Sequence, residues 1–206
     1  MNTAGGSLKW FRDALYGGET PQNDAYPRIN KEIEAGAKNP TGLIFLPYMA
    51  GERAPIWDPN ARGTFIGLNM NTTRAEMLRA VMEGTSFALQ DNLDQAIKTG
   101  IPIRNFICCG GCSKSDIWLK IKASVIGQEI KIPSVNLGAP GGLGYMNAAF
   151  MGEYKTPEDA SRAALQIKKI VEPVEEWIPI YKELYQIYLD SYQSLKSQFA
   201  ALAQIK

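Results

Sequence analysis

Short apolar runs alternate with helical segments along this chain, and that alternation constrains the fold more than any other feature. The runs are Gly42 to Tyr48, Gly63 to Leu68, Asn105 to Cys109, Glu129 to Ile132 and Ile167 to Val171. Each is too short for a helix and reads as a strand. Helical patterns lie between them: Leu8 to Tyr16, Asp24 to Ala37, Thr73 to Lys98, Ser113 to Ile126 and Ala139 to Met151. A long terminal helix is expected from about Ile178 to Leu202, carrying Tyr181, Tyr185, Tyr188 and Tyr192. Strands alternating with helices specify an α/β layer architecture. The strands are few and short, so the sheet is expected to be incomplete. The 206 residues fit a single domain, 1–206.

Several boundaries have local signatures. Ser7 follows Gly5 and Gly6 and is expected to cap the first helix. Thr73 and Glu76 have capping-box spacing, and Gly100 stands where that helix should stop. Thr156, Pro157, Glu158 and Asp159 read as a helix start: a cap, a proline at the first helical position, then acids in the first turn. Residues 49–73 form a long connection rich in Gly, Pro and Asn.

Composition excludes several function classes. The formal net charge is +1, so no basic field is available to draw in nucleic acid or anionic lipid. No apolar run approaches the roughly 20 residues of a membrane span. The N-terminus lacks the charged and apolar regions of a signal peptide, so a cytoplasmic location is expected. The chain has no histidine, which removes Ser-His and Cys-His nucleophiles and His-ligated metals. The three cysteines, Cys108, Cys109 and Cys112, are a poor disulfide framework and suit a reducing compartment. Cys109-x-x-Cys112 is half a zinc site with no second pair, so no metal ligands are assigned.

Two constellations stand out. In Phe106-Ile-Cys-Cys-Gly-Gly-Cys-Ser-Lys-Ser-Asp-Ile-Trp118, a strand passes through a Gly-Gly turn into a helix. Glycines there let the backbone approach a ligand, and the helix N-terminus offers unpaired N–H groups. The same arrangement serves packing alone in many α/β proteins, and its spacing fits neither a Walker loop nor a Rossmann fingerprint. The other constellation is Gly63-x-Phe65-x-Gly67-Leu68, then Glu76-Met77 and Ala80-Val81-Met82-Glu83. Met77, Ala80, Val81 and Gly84 are expected to pack.

Taken in order, these patterns resemble the C-terminal domain of the FGGY sugar kinases, most closely the xylulokinase branch. Thr3-Ala-Gly-Gly-Ser-Leu-Lys-Trp-Phe-Arg-Asp13 is similar to a helix start beside the nucleotide. Gly51-Glu-Arg-Ala-Pro-Ile-Trp-Asp-Pro-Asn-Ala-Arg-Gly63 is similar to the family's Asp-Pro-x-Ala-Arg-Gly segment. Gly110-Gly-Cys-Ser-Lys-Ser115 resembles the adenosine-binding turn, and Ala139 to Ala149 the later small-residue helix. The resemblance implies an actin-like, ribonuclease-H-like ATPase fold, here the C-terminal half with an incomplete sheet flanked by helices. It implies ATP and Mg²⁺, the metal held mainly through the phosphates and the other half. Carried over, Gly111 and Ser115 are candidates to contact adenine and ribose, with Gly110 and Lys114 in the same turn. Gly5 and Lys9 correspond to the nucleotide-facing helix start. Arg62 and Glu83 are read as structural.

Two departures accompany the resemblance. Cys112 replaces a small residue, and Pro140 with an extra glycine alters a helix start. The family's catalytic Asp and most sugar contacts belong to an N-terminal domain, and its C-terminal half opens with a Gly-Thr phosphate hairpin. Neither has a counterpart here, and no acid maps onto the Asp. The expectation is therefore the adenosine-binding part of a sugar kinase, inactive alone, with an exposed apolar face that invites self-association. The alternative is a stand-alone or split nucleotide-binding or assembly subunit working with a separate N-terminal half.

Overall fold

The central helix organises the molecule. In the computed structural model, which describes residues 4–15, 22–135 and 138–205, α3 (Arg74–Lys98) is buried without a break from Leu78 to Ala88. A helix stretch buried on all sides must be enclosed by other elements, and this one carries the charged Arg79 and Glu83 inside with its apolar residues. Its neighbours are α1 (Ala4–Leu15), α2 (Gln22–Gly36), β1 (Ile44–Leu46), α4 (Asp116–Ile126) and α7 (Trp177–Leu202). The Thr73 and Glu76 capping box forms as expected: Glu76 N–H donates to Thr73 Oγ1 at 3.2 Å, and Thr73 N–H to Glu76 Oε2 at 2.7 Å.

The described strands make two antiparallel pairs. β1 pairs with β2 (Thr64–Ile66), with Phe45 opposite Phe65. β3 (Ile130–Pro133) pairs with β4 (Ile167–Val171), Ile130 opposite Val171. β1 lies against α3 through the main core, which includes Ile33, Phe45, Leu78, Met82, Ile121 and Tyr188. A smaller core gathers Leu119, Ala123, Ile130, Ile132 and Val171. α5 (Gly138–Phe150) and α6 (Pro157–Ala164) pack on each other. Thr156 caps α6 as its sequence requires, accepting from Asp159 N–H at 3.1 Å. Leu143, Met146 and Phe150 leave an exposed apolar face on α5. None of the described helices is long and apolar enough to cross a membrane.

Three sequence expectations are corrected. Ser7 is not a cap, because α1 is already helical at Ala4 and Ser7 lies on its buried face beside Leu8 and Phe11. Asn105 to Cys109 is not a full strand; it makes one parallel bridge, Ile107 to Lys131, and Ile107 faces outward. With a single bridge the ladder stops after the Cys108 N–H to Lys131 O and Lys131 N–H to Phe106 O bonds, 3.0 and 2.8 Å long. The helix expected at Ser113 begins at Asp116, because a tight 3₁₀ turn over Gly111–Lys114 precedes it.

α7 supplies an aromatic seam. Tyr188 meets Tyr48 hydroxyl to hydroxyl at 2.7 Å, Tyr192 donates to Asp58 Oδ2 at 2.9 Å, and Tyr185 donates to Asp94 Oδ2 at 2.7 Å. Burial raises all five phenols of this region, Tyr48, Tyr181, Tyr185, Tyr188 and Tyr192. Tyr192 is pushed up to about 12, with Asp58 adding to the effect. A raised folded value favours the neutral phenol, so this stabilisation is present below the ordinary tyrosine pKa of about 10 and is lost as pH rises through the folded values. Phenolate absorbance of these five is expected to appear together with loss of helical circular dichroism, in one cooperative alkaline step. A smooth titration near pH 10 of every tyrosine in an intact fold would contradict the seam.

Candidate functional site

The turn at Gly110–Ser115 is where backbone conformation and open surface coincide. Gly110 has φ 84° and ψ −166°, a region that glycine alone adopts without strain. Its neighbour Gly111 carries no positive φ, and a Cβ built there would meet no atom within 4 Å. Neither the backbone nor the surrounding protein requires Gly111 to be glycine. The chain then closes the 3₁₀ turn: Ser113 Oγ donates to Gly110 O at 2.7 Å, and Ser115 N–H to Cys112 O at 3.2 Å. Lys114 is exposed at its end.

Ser115 is buried, and its hydroxyl has two roles. It caps α4 by accepting from Trp118 N–H at 3.3 Å, and it donates to Asn30 Oδ1 at 2.9 Å, tying the turn to α2. Asp116, in the first turn of α4, is paired with Lys169 Nζ at 2.7 Å. A capped helix start that carries its own carboxylate is a poor seat for phosphate. Gly5 and Lys9 share an exposed face of α1, which packs on α3, so the structure leaves them on a different element from the turn. Pro140 lies in the first turn of α5, where its missing N–H breaks no helical bond.

The thiols crowd the same turn. Cys108 Sγ and Cys112 Sγ are 3.5 Å apart, and Cys112 Sγ lies 3.6 Å from Cys109 O. The Lys122 ammonium sits 4.8 Å over the Trp118 ring, and its charge acts on both Cys108 and Cys112. The hydrogen bond with Cys108, and then the Lys122 charge, hold the Cys112 thiol below its ordinary range. That hydrogen bond and burial push Cys108 up.

A second polar cluster lies in the core. Arg79 Nε donates to Glu83 Oε1 at 2.7 Å, both side chains being buried. Arg79 also donates to Ala37 O, Lys38 O and Tyr181 Oη at 3.0, 2.7 and 2.8 Å, and its guanidinium carbon lies 4.4 Å from the Trp177 ring centre. Tyr181 donates to Glu83 Oε1 and Thr41 to Glu83 Oε2, at 2.8 and 3.2 Å. Burial raises the Glu83 carboxyl, against the pull of Arg79, Tyr181 and Thr41. With no exposure to solvent, this pair can hold helices together but cannot reach a substrate. Sequence reading assigned Glu83 a structural part but passed over Arg79. The available signal was an Arg-x-x-x-Glu pair at helical spacing inside an apolar run. Arg62 braces the connection by donating to Pro59 O and Ala61 O, both at 3.0 Å.

Among the described residues no group of three or more Cys, Asp or Glu is placed to hold a metal ion. Two surface clefts, of about 560 and 340 Å³, are lined by other residues than Gly110–Ser115. Gly110, Gly111 and Lys114 are exposed, so the turn presents an open surface.

Residues 1–153 match the family model for the C-terminal domain of the FGGY family of carbohydrate kinases. Over 202 residues the chain is 30% identical to a xylulose kinase of Staphylococcus epidermidis, covering 98% of this chain and 40% of that protein. It is 26% identical to a gluconokinase of Bacillus subtilis, with the same two coverages. The structure of a ligand-bound xylulose kinase from Lactobacillus acidophilus superposes with a TM-score of 0.83 at 28% identity, over 96% of this chain and 39% of that one. The chain thus spans about 40% of the length of the curated relatives it matches.

Proposed function

Because the chain belongs to the FGGY family of carbohydrate kinases, matching its C-terminal domain, we propose that it is the adenosine-binding part of an ATP-dependent, xylulokinase-like sugar kinase. Its fold is the C-terminal half of the actin-like ATPase architecture. One observation supports the reading above others: Gly111 is glycine for no reason internal to the protein. A side chain there would stand in open space, where the flat face of an adenine would approach the backbone.

In this reading Gly110 and Gly111 let the base and ribose close in, and Ser115 fixes the turn by capping α4 and holding Asn30. Lys114 supplies an exposed cation at the rim, and Gly5 and Lys9 offer a second nucleotide-facing surface on α1. ATP supplies the transferred γ-phosphoryl group, and Mg²⁺ neutralises its charge. Phosphoryl transfer depends on positioning both reactants between closing halves. The acid that accepts the sugar proton, most sugar contacts and the seat of Mg²⁺ are assigned to a partner domain. Xylulose is the first sugar to test, then other pentuloses and gluconate.

The test is titration of the 206-residue chain with an adenine nucleotide, followed by a sugar-dependent assay for ADP. Weak saturable binding without turnover is expected. Gly111→Val should reduce affinity at least tenfold, about 1.4 kcal/mol, with unchanged thermal stability. Unchanged affinity in that variant would remove the turn from the site. Robust sugar-dependent ADP formation by the chain alone would overturn the half-site reading.

A further inference from the structure

The thiol cluster suggests a chemistry that nucleotide binding does not use. Cys112 and Cys108 face each other across Gly110 and Gly111, with sulfurs 3.5 Å apart. Cys112 packs against the main core and Cys108 against the smaller one, so a bond between them would join the two cores at the turn. Closing a disulfide requires the sulfurs to come to about 2.05 Å. The intervening glycines, which have no Cβ to restrict their backbone and stand in open space, provide the freedom to close that gap. Cys109 is more exposed than its neighbours, but its thiol makes no such approach. The hydrogen bond with Cys108, and then the Lys122 charge, favour the thiolate at Cys112, the form that attacks electrophiles.

We propose that Cys108 and Cys112 form a peroxide-sensitive dithiol, with Cys112 the thiol that attacks peroxide and Cys108 the resolving one. The Cys112 thiolate attacks one oxygen of hydrogen peroxide. An S–O bond forms, the O–O bond breaks, and hydroxide leaves and takes up a proton as water. The product is a sulfenic acid at Cys112. The Cys108 sulfur then attacks Cys112 Sγ, losing its proton. The S–S bond forms, the S–O bond breaks, and a second water leaves. Two thiols have given up two electrons and one peroxide has taken them. The short separation lets this ring closure outrun further oxidation of Cys112.

The test treats the reduced chain with hydrogen peroxide, denatures it, and counts alkylatable thiols by intact mass. The expected count falls from three to one, with loss of two hydrogens, a monomer on a non-reducing gel, and full reversal by dithiothreitol. Cys109→Ser should form the same bond. Cys108→Ser should form none and should accumulate a dimedone-trappable sulfenic acid at Cys112. Three alkylatable thiols after treatment would overturn the proposal. So would intermolecular dimers, or a Cys109→Ser chain that forms no disulfide. Circular dichroism of each variant confirms its fold, and the wild-type thiol count stands without any variant.

Discussion

Arg79→Leu is expected to cost the chain about 3–5 kcal/mol of stability, because it leaves Glu83 charged and unpaired in the core. Glu83 would keep only Tyr181 and Thr41, two neutral donors, against complete burial. Two backbone carbonyls, Ala37 O and Lys38 O, would also lose the Nη1 donor that Arg79 provides. A domain stable by about 5–15 kcal/mol would lose a large share of its margin. The pair itself need not be strongly stabilising, since desolvating two charges offsets much of their attraction. Removing both charges with Arg79→Leu and Glu83→Met should therefore recover most of the loss. Urea unfolding of the wild type, Arg79→Leu and the double variant at neutral pH measures both effects. A single variant within about 1 kcal/mol of wild type would refute the buried pair.

Gly84→Ala carries the second large effect. Alanine normally gains about 1 kcal/mol over glycine in a helix interior. Here the added Cβ would stand 2.0 Å from Phe45 O and 3.0 Å from Phe45 C, main-chain atoms of β1 that cannot rotate aside. α3 and β1 must separate, which opens the core around Phe45, Leu46 and Met82. A loss of about 3 kcal/mol, at the upper end for overpacking, is expected. Gly144→Ala in α5 is the control, because nothing lies within 4 Å of its Cβ. It should be neutral or stabilising. If both substitutions behave alike in thermal unfolding, the close approach of α3 to β1 is wrong.

The Gly84 effect arises wholly, and the Arg79 effect in part, at contacts remote in sequence, which is where sequence reading thinned out. Local signals read well. The Thr73 and Glu76 box, the Thr156-Pro157 start and the Ile167 to Val171 strand each follow from neighbours within a few residues. The short strands of an α/β fold were legible from the alternation, and the actin-like half from the family resemblance that the ordered motifs carry. Ser7 misled because its place after two glycines looks like a cap, and only the core contacts of α1 show the helix already under way. Asn105 to Cys109 misled because an apolar run signals burial without saying how much ladder it will find.

The candidate turn divides the same way. Its glycines were visible, and the departure at Cys112 was visible as a residue type. That Gly110 needs its backbone and Gly111 does not, that Ser115 holds α2, and that Cys112 faces Cys108 are facts of three dimensions. By itself the sequence determined the Thr73 and Thr156 caps and the position of the turn, which depend on short-range spacing, and the α/β class and the family, which depend on the order of elements and motifs along the chain. The tertiary structure alone decided which charges lose their water. Arg79 meets Glu83 four residues on, but Lys38 O lies 41 residues away and Tyr181 102, and desolvation depends on all of them together.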